Sequence, residues 1–284
     1  VGEDVALALS ELQDRLPPFS GQAARDIVAR EFDQPLKALF AEFDNEPVAA
    51  ASIAQVHFAR TVAGDEVAVK ILRPGIEAAF ARDLELFYWL AALAERAMPA
   101  WRRLKPVEVI RTFAESVAME MDLRIEAAAA SELKQNFADE PMFFVPAVDW
   151  QRTSQRVLTL ERVAGVPIDE RENLVSAGHE PRDILVIAAG AFFRQVFRDG
   201  FFHADLHAGN LLVDAEGRVI AVDFGIMGRL DRETRRYLAE MLMGFLRRDY
   251  ARVAEVHFEA GYVPRRKSKA AFTQAIRAIG EPIL

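Results

Sequence analysis

The chain has 284 residues, 51% of them hydrophobic and 27% charged, with a formal net charge of −8 and no cysteine. That length and apolar content suffice for a large core and two lobes. The acidic balance excludes a nucleic-acid role resting on bulk charge, and the lack of cysteine excludes disulfides and thiol chemistry and fits a reducing compartment.

In chain order, the first forty residues read as helices, with Ser20 as a cap and Pro35 opening a helix over 36–43. Strands are expected over 48–62 and 66–72, joined at Ala63-Gly64-Asp65. In the second, Glu66-Val67-Ala68-Val69-Lys70-Ile71-Leu72, alternation puts Val67, Val69 and Ile71 on one face and Lys70 on the other. Pro74-Gly75 then leads into a helix with Ile76, Phe80, Leu84 and Phe87 on one face, and another is expected over 107–137. Strands follow over 143–148 and 156–162, and the remainder is mainly helical: 182–198, 231–247, 250–261 and a last segment from Ser268. No run reaches the about 18 apolar residues needed to cross a bilayer; 86–94 runs into Glu95 and Arg96, and 184–193 is also too short.

The chemistry is concentrated in His203-Ala204-Asp205-Leu206-His207-Ala208-Gly209-Asn210, an H-x-D-x-x-x-x-N block, followed by Asp223-Phe224-Gly225. In protein-kinase-like folds the Asp of the first block positions or deprotonates the attacking hydroxyl, and its Asn and the Asp of D-F-G hold Mg²⁺. Between the blocks lie an apolar strand at Leu211-Leu212-Val213, a turn at Glu216-Gly217 and a strand at Val219-Ile220-Ala221-Val222, a hairpin that returns Asp223 beside Asn210. A competing reading takes His203, Asp205 and His207 as ligands of a hydrolytic metal, but His57, His179 and His257 lie in no ligand spacing, and His203 reads better as a brace for the loop. The V-A-V-K strand upstream supplies the phosphate-binding lysine, Lys70. No G-x-G-x-x-G precedes it; its place is taken by Ala49-Ala50-Ala51-Ser52-Ile53-Ala54-Gln55-Val56. Alanine lets a backbone approach phosphates but disfavours the positive φ that glycine allows. By order, Leu160-Glu161-Arg162-Val163 occupies a hinge position, where backbone groups of Glu161 and Val163 would meet adenine.

On these blocks the chain resembles the UbiB family of atypical, protein-kinase-like proteins linked to ubiquinone biosynthesis. The matching stretches are Leu9-Ser10-Glu11-Leu12-Gln13-Asp14 with Pro17-Pro18-Phe19, Phe43-Asp44, Pro47 through His57, Val67-Ala68-Val69-Lys70 with Arg73-Pro74-Gly75-Ile76, and Phe201-Phe202-His203-Ala204-Asp205. The resemblance implies an α+β, two-lobed kinase-like fold with extra N-terminal and inserted helices, its lobes spanning 1–160 and 161–284. It makes Ala49, Ala50, Ala51 and Ser52 the phosphate loop, Lys70 the phosphate-binding lysine, Asp205 the catalytic-loop aspartate, and Asn210 and Asp223 the metal ligands. It also makes Glu126 the partner of Lys70, and Glu120 with Asp122 the family's E-x-D pair. On a continuous helix Asp122 shares a face with Glu126 and Glu120 with Arg124, so the two E-x-D carboxylates are expected to meet different partners. The family's upstream K-x-G-Q motif and C-terminal hydrophobic spans fall outside these residues, so a truncated form or the soluble core of a longer protein is expected.

The resemblance thus implies ATP or ADP with Mg²⁺ as cofactors, a membrane surface, quinone-biosynthesis enzymes or lipid precursors as partners, no nucleic acid, and a cytoplasmic or peripheral membrane location. Arg265-Arg266-Lys267-Ser268-Lys269 and Trp101-Arg102-Arg103 are the local basic patches that could face anionic lipid. Only 226–230 separate D-F-G from the next helix, and no A-P-E closes an activation segment, so a protein substrate has no obvious platform. Two alternatives stay open: a small-molecule phosphotransferase of the aminoglycoside or choline kinase type, and a low-turnover nucleotide-binding scaffold.

Overall fold

A computed structural model describes residues 17–283; the stretch Leu9-Ser10-Glu11-Leu12-Gln13-Asp14 lies outside them. The fold is α+β. Packing divides the described residues into two compact units, those within Val1–Ala177 with Ala208–Gly225, and those within Gly178–His207 with Ile226–Leu284, so that the hairpin after the catalytic loop packs with the first unit.

In the first unit, Ser20 caps α1 (Gly21–Glu31) by accepting the Ala23 N–H through its hydroxyl. The segment expected as a helix over 36–43 is instead a single turn, α2 (Leu36–Leu39), running into strand β1 (Phe40–Phe43). The reason is tertiary: Phe40 and Phe43 pair with Thr61 and Ala59 on β3 (Ala54–Thr61) and bury both rings, which outweighs helix propensity. The strand expected over 48–62 is likewise divided, into β2 (Ala49–Ala50) and β3. With β4 (Glu66–Leu72) and β6 (Val157–Glu161), β1 and β3 form an antiparallel sheet in the order β1-β3-β4-β6, β2 pairing β3. Val67, Val69 and Ile71 face a core shared with Ala24, Ile27 and Val28 of α1, where each fully buried aliphatic side chain contributes roughly 1.5–3 kcal/mol.

The helix after Pro74-Gly75 is α3 (Ile76–Ala97), and it packs against α4 (Pro106–Glu120). The helix expected over 107–137 breaks at Met121 and Asp122, after which α5 (Leu123–Asn136) begins. Asp122 causes the break: its carboxylate accepts the Arg124 N–H and so caps a new helix instead of continuing the old one. A second sheet, in the order β5-β10-β9-β7, joins β5 (Phe143–Phe144), β10 (Val219–Ala221), β9 (Leu211–Val213) and β7 (Val166–Pro167). A short helix, α6 (Arg171–Ser176), completes the unit.

The second unit starts with α7 (Pro181–Phe193), which continues as a π-helix over Arg194–Asp199. Gly200 then turns the chain at φ 68°, and a Cβ there would stand 2.6 Å from the Leu230 carbonyl oxygen, so both conformation and space require glycine. Strand β8 (Phe201–His203) follows and pairs β11 (Met227–Arg229), which occupies the short link after D-F-G. Helices α8 (Arg232–Leu246), α9 (Tyr250–Glu259) and α10 (Lys269–Gly280), capped by Asp231, Asp249 and Ser268, pack around Met241, Tyr250, Val253, Val256 and Ile276.

Candidate functional site

β4 carries Lys70 on the face opposite Val69 and Ile71. Because Asp122 starts α5 where it does, Glu126 falls in that helix's first turn and stands before the strand. Lys70 Nζ donates to both Glu126 oxygens at 2.8 and 2.9 Å and to Asp223 Oδ2 at 3.3 Å. The side chains are 6% exposed for Glu126, 19% for Lys70 and 42% for Asp223, so the ammonium bridges a buried carboxylate and an open one. The Phe224 N–H points at Glu126 Oε1 from 3.5 Å, which ties D-F-G to the same pair. Burial alone would lower the Lys70 pKa, but attraction to Glu126 and then Asp223 outweighs it and holds the ammonium above its ordinary value. Burial pushes the Glu126 carboxyl up, opposed by Lys70.

Asn210 and Asp223 flank the open end of the β9–β10 hairpin. The last ladder pair is Ala221 with Leu211, and the Val222 N–H then donates to the Asn210 carbonyl at 3.1 Å. Asp223 Oδ1 accepts the Gly225 N–H at 2.9 Å, closing the D-F-G turn. The E-x-D carboxylates part company, at a helix break and not along one helix face. Asp122 is held by Arg124 at 2.6 Å, which keeps its carboxyl below the usual range. Glu120 is the last residue of α4; burial raises its pKa, and the negative charge of Asp223 adds to that.

Ala49 and Ala50 pair Val56 and Gln55, and the Ala51 N–H closes the turn onto the Ala54 carbonyl at 2.8 Å, with Ser52 exposed at its tip. None of these residues adopts a positive φ, so the loop turns without the conformation a glycine-rich loop uses. Two residues not assigned a role from the sequence, one bonding the turn itself and one in the strand that follows it, tie the chain around Phe19 to this region. Arg73 donates to the Ala51 and Pro17 carbonyls, both at 3.0 Å, and lies over the Phe19 ring. Gln55, buried within β3, bonds both backbone groups of Phe19. A buried glutamine interrupting an apolar strand was the available signal for the second; Arg73 offered none beyond its place after β4. At the expected hinge, Glu161 closes β6 and its N–H is already donated to the Ala147 carbonyl at 2.8 Å.

Asp205 belongs to the second unit, where its backbone is fixed by its neighbours. Its N–H donates to His203 Nδ1 at 3.2 Å and its carbonyl accepts the His207 N–H at 3.0 Å. The His203 ring is buried, and its Nδ1 serves the loop backbone.

The residues of the first unit fit a nucleotide with Mg²⁺. Glu126 and Asp223 both stand on the one ammonium of Lys70, which leaves one carboxylate charge that a bound cation would offset. The donors Asp223 and Asn210 offer hard oxygen atoms, and among the described residues no group of three or more His, Cys, Asp or Glu forms a closed metal cage. Mg²⁺ is characteristically held by one or two carboxylates completed by phosphate oxygens and water.

Residues 11–257 match the ABC1 atypical kinase-like domain. A "Probable protein kinase UbiB" from Marinobacter nauticus is 44% identical over 99% of this chain, which covers 52% of that relative. The protein of the same description from Azotobacter vinelandii is 42% identical over 99% of this chain and 53% of its own length. The chain thus spans about half the length of the curated relatives it matches. Among solved structures, a complex of Rv3197 with erythromycin from Mycobacterium tuberculosis matches with a TM-score of 0.77 and 27% identity, covering 99% of this chain and 70% of that one.

Proposed function

The chain belongs to the ABC1 atypical kinase-like family, and from that premise we propose that it binds ATP or ADP with Mg²⁺ and splits the terminal phosphoryl group as a slow ATPase or kinase supporting ubiquinone biosynthesis. The observation that carries this reading is the Lys70 ammonium held between buried Glu126 and open Asp223. Glu126 keeps the lysine charged and extended, so that it can meet phosphate oxygens without an ordering step. Asp223 and Asn210 would hold the metal, which when bound supplies the positive charge that offsets charge developing on the transferred group. Asp205, on the same H-x-D-x-x-x-x-N loop as Asn210, would accept the proton given up by the attacking water or hydroxyl. The backbone of 49–52 would border the phosphates, and the Glu161 carbonyl with Val163 the adenine.

The test is Asp223→Asn. The variant should fold as the parent does and lose the Mg²⁺-dependent part of its nucleotide affinity, measured by titration with and without the metal. An unchanged metal dependence in a folded variant would sink the assignment. Turnover with quinone-precursor phenols present then separates the outcomes: a phosphorylated phenol favours a small-molecule phosphotransferase, and free phosphate alone an ATPase.

An anionic membrane surface is the partner that a second observation favours. Leu86, Trp89, Leu90 and Leu93, spaced at helical intervals on α3, all face solvent, with Met98, Trp101 and Leu104 exposed beyond the helix end. Around that end Arg96, Arg102, Arg103, Lys105 and Arg111 outnumber Glu95 and Glu108 in a chain of net charge −8. Exposed tryptophan and leucine bordered by arginine suit the interface of an anionic bilayer. Among the described residues no helix is long and apolar enough to cross one.

A further inference from the structure

Gln195 lies in the π-helix that follows α7 and is fully buried, yet nothing in the proposed chemistry uses it. Its Oε1 accepts the His203 N–H at 2.9 Å; a backbone N–H can only donate, so the orientation of the amide is fixed. Among the described residues β8 pairs β11 on one edge and no strand on the other, and Gln195 supplies an acceptor where a further strand would otherwise satisfy the backbone. The bond is the first of two. His203 Nδ1 accepts the Asp205 N–H, which in the neutral ring places the proton on Nε2. Thus the π-turn holds the His203 backbone, and the His203 ring holds the Asp205 backbone.

The other end of the amide makes this more than packing. Gln195 Nε2 is buried with no hydrogen-bond partner among the described residues. An orphaned buried donor counts against stability, so the amide is not there for its Nε2; the one bond it makes is the one to the His203 N–H. What it supplies is the position of one N–H. π-turns recur where a helix must aim a side chain at a functional element.

We propose that Gln195 is a positioning residue for Asp205, acting through His203. The proposal rests on the reading of Asp205 as the group that accepts the proton of the attacking hydroxyl. Gln195→Leu and Gln195→Met remove the acceptor at similar volume, and Gln195→Glu keeps an oxygen of the same reach. In the folded Leu and Met variants, kcat for nucleotide turnover should fall by on the order of 10²-fold, the scale of a misplaced catalytic group, while the dissociation constant for ATP measured directly stays within about 2-fold. Gln195→Glu should recover most of kcat. In an Asp205→Asn background, Gln195→Leu should lower kcat no further, because the group it positions is already gone.

Hydrogen exchange supplies a readout independent of turnover: the amides of His203 and Asp205 should lose protection in Gln195→Leu and regain it in Gln195→Glu. The proposal is overturned by unchanged protection, by losses that multiply with Asp205→Asn, by no rescue from glutamate, or by Leu and Met variants that fail to fold where Glu folds, since the bond would then serve the fold as a whole. Failure of the underlying reading looks different: Asp205→Asn alone would leave turnover intact.

Discussion

At the scale of single residues, the ion pair of Lys70 and Glu126 dominates. Pairing two largely buried charges is close to neutral for stability, but removing one partner strands the other. Lys70→Met should therefore destabilise the protein by about 3 kcal/mol in denaturant unfolding, and Lys70→Met with Glu126→Leu should recover most of that; a double variant as unstable as the sum of the singles would mean the two never share a charge balance. Each single substitution should also lower turnover, with the pair losing less than the sum. The pH dependence follows from Glu126. Its folded pKa lies above the ordinary 4.5 because of burial, so its contribution to stability is full below that value and is lost as pH rises through the folded value. Lys70 offsets this in the parent; in Lys70→Met the loss as pH rises above the ordinary carboxyl value should be steeper, and an equal slope in the two proteins would show that Glu126 does not depend on Lys70. The sequence placed Lys70 on its strand face by alternation alone. Glu126 came from family resemblance, and Gln195 and Arg73 from neither, because their partners are backbone atoms brought near only by folding.

At the scale of elements, the alanine turn between β2 and β3 departs most from a glycine-rich phosphate loop. It closes through the Ala51 N–H and the Arg73 guanidinium without a positive φ. Glycine at Ala49, Ala50 or Ala51 would open that conformational region at a cost of roughly 0.5–1 kcal/mol. Such variants should change the affinity or preference for ATP over ADP in a binding titration while melting within a few degrees of the parent. If all three bind both nucleotides as the parent does, the turn does not border the phosphates. Elements with strong local signals, such as β4, the β9–β10 hairpin and the capped helices α8 and α10, lie where pattern and caps put them. β1 and the break at Asp122 do not, because in each a nonlocal or side-chain hydrogen bond overrode a helix-forming run.

At the scale of the whole molecule, charge and apolar surface are distributed against each other: the chain is acidic, while the exposed stripe on α3 ends in a cluster of arginines. Trp89→Glu with Leu93→Glu should reduce co-sedimentation with vesicles of phosphatidylcholine and phosphatidylglycerol without altering nucleotide affinity, and salt should weaken the parent's binding as it screens the basic end. Equal co-sedimentation of parent and variant would remove α3 from the membrane reading. The sequence by itself determined the order of the chemical blocks, the family they resemble and the face on which Lys70 stands, because motif order and strand alternation are properties of the chain written one residue at a time. Only the tertiary structure decided that Asp122 caps a new helix and pairs Arg124, that Arg73 ties the alanine turn to Pro17 while Gln55 holds Phe19, and that a buried glutamine in a π-turn reaches the backbone before Asp205. Those contacts join residues distant in sequence or set by an irregular turn, and neither periodicity nor a motif carries information about which donor a buried acceptor will meet.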